Sequence, residues 1–140
     1  MHLHTGERLQ IVYRDGSGYR AEALARLDAL LRDFRSEEVH AIDPGLFDIL
    51  HAVHVATGSQ KPFGVISGYR SPATNEMLRG QGDGVAAGSL HVLGRAIDVR
   101  LADVRTAALR DAGLALARGG VGYYAASDFV HLDTGRVRRW

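Results

Sequence analysis

The chain has no cysteine among its 140 residues. That excludes a disulfide framework, a thiol nucleophile and any zinc site built on thiolates. It also lacks a charge bias: 17 basic residues against 16 acidic ones leave a formal net charge of +1. The basic residues are mostly arginine and scattered, so there is no electrostatic footprint for nucleic acid. Long apolar runs are missing, and nothing approaches the roughly 18–20 residues needed to cross a bilayer. No signal peptide is visible after Met1. Proline is scarce, and two of the three prolines follow a capping residue, in Asp43-Pro44 and Ser71-Pro72. At that position proline starts a helix rather than breaking one. What remains is ordinary: 46% hydrophobic and 24% charged residues, suited to one domain with a real core.

Periodicity gives the elements. Residues 8–13 alternate partly and run into Asp15-Gly16-Ser17-Gly18, which predicts a strand and a turn. Leu24, Leu27, Leu30, Leu31 and Phe34 predict a helix over about 20–35. A second helix starts at Asp43-Pro44, carries Leu46, Phe47, Leu50 and Val53 inward, and stops near Gly58. Residues 62–66 read as a buried strand, and Ser71-Pro72 begins a short helix. Gly80, Gly82, Gly84 and Gly88 mark a flexible loop; without Gly-Lys-Ser/Thr it is not a phosphate loop. Residues 96–101 alternate cleanly, with Ala96, Asp98 and Arg100 on one face and Ile97, Val99 and Leu101 on the other. A helix over 104–118 and strands at 121–124 and 129–132 complete the chain. Arg136, Arg138 and Arg139 read as a solvated tail. The order of elements predicts an α+β fold with helices flanking a mainly antiparallel sheet.

Three segments put polar residues where a simple core would not want them: Ser67-Gly68-Tyr69-Arg70-Ser71, Ser89 to Asp98, and Phe129-Val130-His131-Leu132-Asp133. On a strand, His131 and Asp133 share a face opposite Val130 and Leu132, and Asp98 points away from Ile97 and Val99. Two imidazoles and a carboxylate with one open position suit a catalytic zinc site. By spacing alone, His91, Asp98 and His131 could equally be structural. His51 and His54, at i and i+3 on the second helix, have no carboxylate pattern beside them and read as surface or core histidines. His4 reads as structural. Of Tyr123 and Tyr124, a regular strand lets only one face the site.

Ser89-x-His91-x-x-Gly94-x-Ala96-x-Asp98 resembles the zinc motif of the D-Ala-D-Ala carboxypeptidase and hedgehog-like metallopeptidases, and most closely their YcbK-like murein endopeptidase branch. Leu3 to Glu7, Ser67 to Asn75, Gly119 to Tyr124 and Phe129 to Gly135 extend the resemblance in order along nearly the whole chain. It implies a single zinc metallopeptidase domain over residues 1–140, with a hedgehog/D-Ala-D-Ala peptidase-like fold. It implies one Zn2+ per chain, held by His91, Asp98 and His131. The resemblance also implies that Arg70 lines the site, where an arginine suits the oxyanion of the tetrahedral intermediate or a substrate carboxylate; Arg70, Tyr69 and Ser89 are the candidate substrate-binding residues.

The implied activity is hydrolysis of peptide cross-links between peptidoglycan stem peptides. The alternatives are a D,D- or L,D-carboxypeptidase and a non-catalytic zinc-stabilised cell-wall-binding module. Members of that branch are exported, so a periplasmic protein whose signal has been removed is expected. In one branch the general base is a glutamate three residues before the last histidine ligand, and Asp128 holds that position. Three residues along a regular strand reverses the face, so Asp128 needs a bulge or a strand start. Asp133 has the right parity, as a base or as a partner that orients a ligand histidine. Asp128 is preferred as base. Phe129 occupies the position where another branch carries a catalytic histidine, which closes that route.

Overall fold

The computed structural model describes residues 1–82, 85–86 and 88–140. Asp83, Gly84 and Ala87, part of the expected glycine-rich loop, lie outside the described residues. In chain order the elements are β1 (Arg14–Asp15), β2 (Gly18–Tyr19), α1 (Ala21–Leu30), α2 (Pro44–Thr57), β3 (Phe63–Ser67), α3 (Pro72–Gly80), a 3₁₀ turn (Leu90–Leu93), β4 (Ala96–Leu101), α4 (Thr106–Leu116), β5 (Gly120–Tyr124), β6 (Phe129–Asp133) and β7 (Arg138–Arg139). β1 and β2 make a small hairpin, and the other five strands form one sheet in the order β3-β4-β6-β5-β7. Every pairing in that sheet is antiparallel except β5 with β7. The architecture is α+β, as the sequence predicts.

The period-2 pattern of β4 and β6 divides the sheet into two faces. Ile97, Val99 and Leu101 of β4 join Val130 and Leu132 of β6 in a core with Leu46, Phe47 and Val53 of α2 and Leu109 of α4. α4 rests on β4, β5 and β6 and against α2. Ala96, Asp98, His131 and Asp133 occupy the opposite face, and it too is covered, since all four are buried.

Capping chemistry holds where expected. The Asp43 carboxylate accepts from Gly45 N–H at 2.9 Å, Pro44 opens α2, and Gly58 closes it with a left-handed φ of 67°. Ser71 Oγ accepts from Thr74 N–H at 3.1 Å at the start of α3.

Three expectations are corrected. Residues 8–13 form no strand, although Leu9, Ile11 and Tyr13 do turn inward. Alternation reports side-chain burial, but a strand also needs a hydrogen-bonding partner, and here pairing starts only at Arg14↔Tyr19. α1 ends at Leu30 rather than near 35, because the Asp33 carboxylate accepts from Arg35 N–H and Ser36 N–H and folds the chain into a turn. Phe34 therefore leaves the helix and stacks on His4, 4.0 Å between ring centroids. The arginines at the end of the chain are not all a solvated tail: Arg136 and Arg139 are exposed, but Arg138–Arg139 form β7 along β5 and Arg138 donates to Asp133.

Candidate active site

His131 lies at the middle of β6, with Asp98 directly across on β4 and Gly122 directly across on β5. Strand register therefore places the carboxylate beside the imidazole. Neighbouring β3 carries a bulge after Val65 that brings Ser67 opposite Asp98. The chain then leaves the sheet through Gly68 to Arg70. His91 comes from the 3₁₀ turn, where Ser89 Oγ accepts from His91 N–H at 3.2 Å. Gly94 ends that turn at a φ of 68°. Its backbone runs so close to Ala41 O that a side chain would not fit.

One atom from each of His91, Asp98 and His131 lies within 4.8 Å of the other two. The residues are 3%, 7% and 8% exposed, so nearly all of this contact is out of water. The far nitrogen of each imidazole is already committed. His91 Nδ1 is 2.7 Å from Gly68 O, and His131 Nε2 is 2.7 Å from Asp133 Oδ2. A carbonyl and an ionised carboxylate only accept, so both of these nitrogens carry a hydrogen. The near nitrogens, His91 Nε2 and His131 Nδ1, sit 3.2 and 3.1 Å from Asp98 Oδ1.

In neutral imidazoles those nitrogens present lone pairs, so three electron-pair donors face one another in a dry pocket. This donor set fits a divalent cation. Without one, the cluster draws a proton. Burial disfavours a charged His131, but the Asp133 and Asp98 carboxylates override it and raise its pKa. Burial would also raise Asp98, yet His91 and His131 hold it well below the usual carboxylate range.

The cluster opens into a cavity of about 250 Å³ whose walls include Arg70, Ser89, Tyr124, Phe129, Arg138 and Trp140. A larger cavity of about 330 Å³ lies under the N-terminal segment, but its walls are mostly hydrocarbon, from Leu9, Ile11, Leu27 and Phe47 among others. Chemistry rather than size therefore picks out the first. His54 lines the larger cavity and donates to Lys61 O at 2.7 Å, a structural contact.

The other residues singled out in the sequence separate clearly. Arg70 reaches the cavity although only 9% exposed, and burial lowers its pKa. Ser89 lines the cavity while capping the turn. Tyr69 does not: it is buried, its ring stacked on His40 at 4.7 Å. Tyr124 faces the cavity, and Tyr123 packs beneath the Arg110 guanidinium on the other side of the sheet.

Asp133 is fully buried, and its carboxylate accepts from His131, from both terminal nitrogens of Arg138, and from Gly120 N–H and Gly135 N–H. Burial alone would raise its pKa, but these donors hold it well below the usual range. Asp128 stands just before β6 with a left-handed φ of 55°. The strand starts just after it, yet this does not turn the side chain to the cavity. Its exposed carboxylate accepts from Thr106 Oγ and lies 3.6 Å from Arg100, outside the cavity wall.

A model of the family described as peptidoglycan L,D-endopeptidase MepK matches residues 1–140. The peptidoglycan L,D-endopeptidase MepK of Escherichia coli K12 is 46% identical over 138 residues, covering 99% of this chain and 76% of the relative. The probable peptidoglycan L,D-endopeptidase MepK of Haemophilus influenzae Rd is 42% identical over 139 residues, covering 99% and 75%.

This chain belongs to the MepK family of M15 peptidases.

Among solved structures, the L-Ala D-Glu endopeptidase ChiX of Serratia marcescens overlaps with a TM-score of 0.45 at 21% identity, over 69% of each chain. Membership in the MepK family makes the protein a peptidoglycan hydrolase of the metallopeptidase class and implies a bound metal, for which His91, Asp98 and His131 form the one suitable group among the described residues. Sequence reasoning missed two parts of this MepK-family site. Arg138 completes the Asp133 shell, and Trp140 leans on His131 at 4.9 Å while its indole N–H donates to Tyr124 Oη at 2.8 Å. The available signal was their shared parity on a final strand next to the family-like Asp133-Thr134-Gly135 segment.

Proposed function

We propose that residues 1–140 act as one zinc-dependent peptidoglycan L,D-endopeptidase domain, opening peptide cross-links between stem peptides in the periplasm. The observation that carries this reading is the convergence of His91 Nε2, Asp98 Oδ1 and His131 Nδ1 in a buried pocket that opens beside Arg70. The MepK relatives' activity supports the substrate class. When bound, the metal supplies Lewis-acid activation of water and of the scissile carbonyl.

The chain's own residues do the rest. Gly68 O and Asp133 fix the tautomers of His91 and His131, so that each offers a lone pair inward. Arg70, buried and cationic, holds negative charge that develops on the substrate carbonyl oxygen or a substrate carboxylate. Ser89, Tyr124 and Trp140 shape the cleft. For the proton taken from water and returned to the leaving amine, Asp98 is committed at the metal cluster and Asp133 is saturated with donors. Asp128 is the remaining carboxylate next to β6, and it serves once its side chain turns from Thr106 to the cleft. Asp128→Ala is expected to lower kcat by about 100-fold or more with metal content unchanged; full activity would remove Asp128 from the mechanism.

The direct test is digestion of purified cross-linked peptidoglycan with metal-stripped and zinc-reloaded protein, read by mass spectrometry. New monomeric muropeptides only after zinc are expected, and their termini name the bond. No products from a protein that holds one zinc per chain would sink the peptidase reading and favour a wall-binding module.

A further inference from the structure

Arg70 is an unusual residue to find buried without an anion. It is 9% exposed, its Nε has no hydrogen-bond partner, and no carboxylate pairs with it among the described residues. Its backbone is pinned, since Arg70 N–H donates to His91 O at 3.1 Å. Its guanidinium, however, makes one protein hydrogen bond among the described residues: Arg70 Nη1 donates to Asn75 Oδ1 at 3.0 Å.

Asn75 is itself 3% exposed and lies one turn into α3, where its N–H donates to Ser71 O at 2.9 Å. The start of that helix is firmly held. Ser71 Oγ caps it, and the Asp33 carboxylate accepts from Ser71 N–H at 2.9 Å. A guanidinium only donates, so the amide of Asn75 has one possible orientation, with its oxygen toward Arg70. Its Nδ2 then faces away and donates to Ala86 O at 3.1 Å. Ala86, with Val85 and Gly88, lines the same cavity. One buried amide therefore ties together the cation in the cleft and the chain segment that walls it, and anchors both to a capped helix.

We propose that Asn75 is a positioning residue for the peptidase reaction: its side-chain amide fixes the Arg70 guanidinium in the cavity that His91, Asp98 and His131 line, and holds Ala86 in the wall of that cavity. This rests on the role given above to Arg70. A buried arginine with no anion to pair with keeps its charge available for the substrate, and a neutral amide anchors it without cancelling that charge. An acidic partner would do the second job poorly.

The test is a double-mutant cycle on the zinc-loaded full chain, with cross-linked muropeptide dimer as substrate. Asn75→Ala is expected to lower kcat/KM by about 10- to 100-fold, the loss of one hydrogen bond to a charged group. Melting temperature in the zinc-loaded form and zinc stoichiometry should stay near wild type. In an Arg70→Ala background the same substitution is expected to cost little more, because the group it positions is gone. Asn75→Asp keeps an acceptor for Arg70 but cannot donate to Ala86, so it should recover part of the loss in kcat/KM. If Asn75→Ala does not fold, Asn75→Leu, of similar volume and without polar atoms, replaces it in the cycle. Equal losses in both backgrounds, or no loss from Asn75→Ala in the otherwise wild-type protein, would overturn the proposal. Wild-type activity in Arg70→Ala alone would instead strike down the Arg70 role, and the inference with it.

Discussion

Asp133→Asn replaces one oxygen by NH2 and should weaken a metal site to which Asp133 itself contributes no ligand atom. In the native protein Asp133 Oδ2 receives the His131 Nε2 hydrogen at 2.7 Å, which leaves His131 Nδ1 bare toward Asp98. The five donors around the carboxylate include Gly120 N–H and Gly135 N–H on Oδ1. An amide at this position keeps its oxygen on those two backbone groups. Its NH2 then faces His131 Nε2 and the Arg138 guanidinium. A donor opposite Nε2 favours the other tautomer, which puts the hydrogen on Nδ1, where the metal needs a lone pair. Loss of such a partner weakens metal binding by about 10- to 100-fold, equivalent to about 1.4–2.8 kcal/mol. Zinc affinity measured by competition with a chromogenic chelator checks this, with Asp128→Asn as the control that leaves affinity unchanged. Affinity within twofold of wild type in Asp133→Asn would refute the tautomer argument.

Acid should unfold the metal-free protein through buried carboxylates. Burial opposes ionisation of Asp33 and Asp133, but their hydrogen-bond donors win, so both titrate below the usual carboxylate range when folded. Between the folded value and the unfolded value near 4 the unfolded chain binds more protons, so stability is full above that window and is lost as pH falls through it, on the order of 2 kcal/mol each. Melting temperature should fall from about pH 5 toward pH 2 and fall less steeply in Asp33→Asn; a flat profile for the native protein would contradict this. Gly122→Ala is expected to dislodge the single tryptophan, since a Cβ there would come 2.6 Å from Trp140 Cε2. The cost is about 1–3 kcal/mol, and a red-shifted Trp140 emission with reduced activity reports it; unchanged emission would mean that the indole does not pack on this glycine.

Much of the site was legible because its chemistry is carried by short-range pattern. The alternation of residues 96–101 and 129–133 already puts Asp98 and His131 on faces opposite the core side chains, and β4 and β6 show that arrangement. Asp43-Pro44 and Ser71-Pro72 mark helix starts because capping depends on neighbours only a few residues away. Residues 8–13 failed for the complementary reason: their alternation is real, but a strand exists only if another strand lies within hydrogen-bonding distance, and none does.

The sequence by itself determined the α+β class and the inward face of each central strand, because those depend on residue type and on periods of 2 and 3.6, which are local properties of the backbone. It singled out His91, Asp98 and His131 through the resemblance of their segments to a known zinc motif, not through spacing. Only the tertiary structure decided which partners each carboxylate has. Asp128 stands just before β6 and Asp133 at its end, and the sequence separates them by parity alone. The packed chain surrounds Asp133 with donors from β5, the following turn and β7, and turns Asp128 out toward α4. Tyr69 goes into the core and Trp140 comes to the cleft for the same reason. A side chain's partners are set by which distant segments the fold brings within a few ångströms, and no spacing along the chain records that distance.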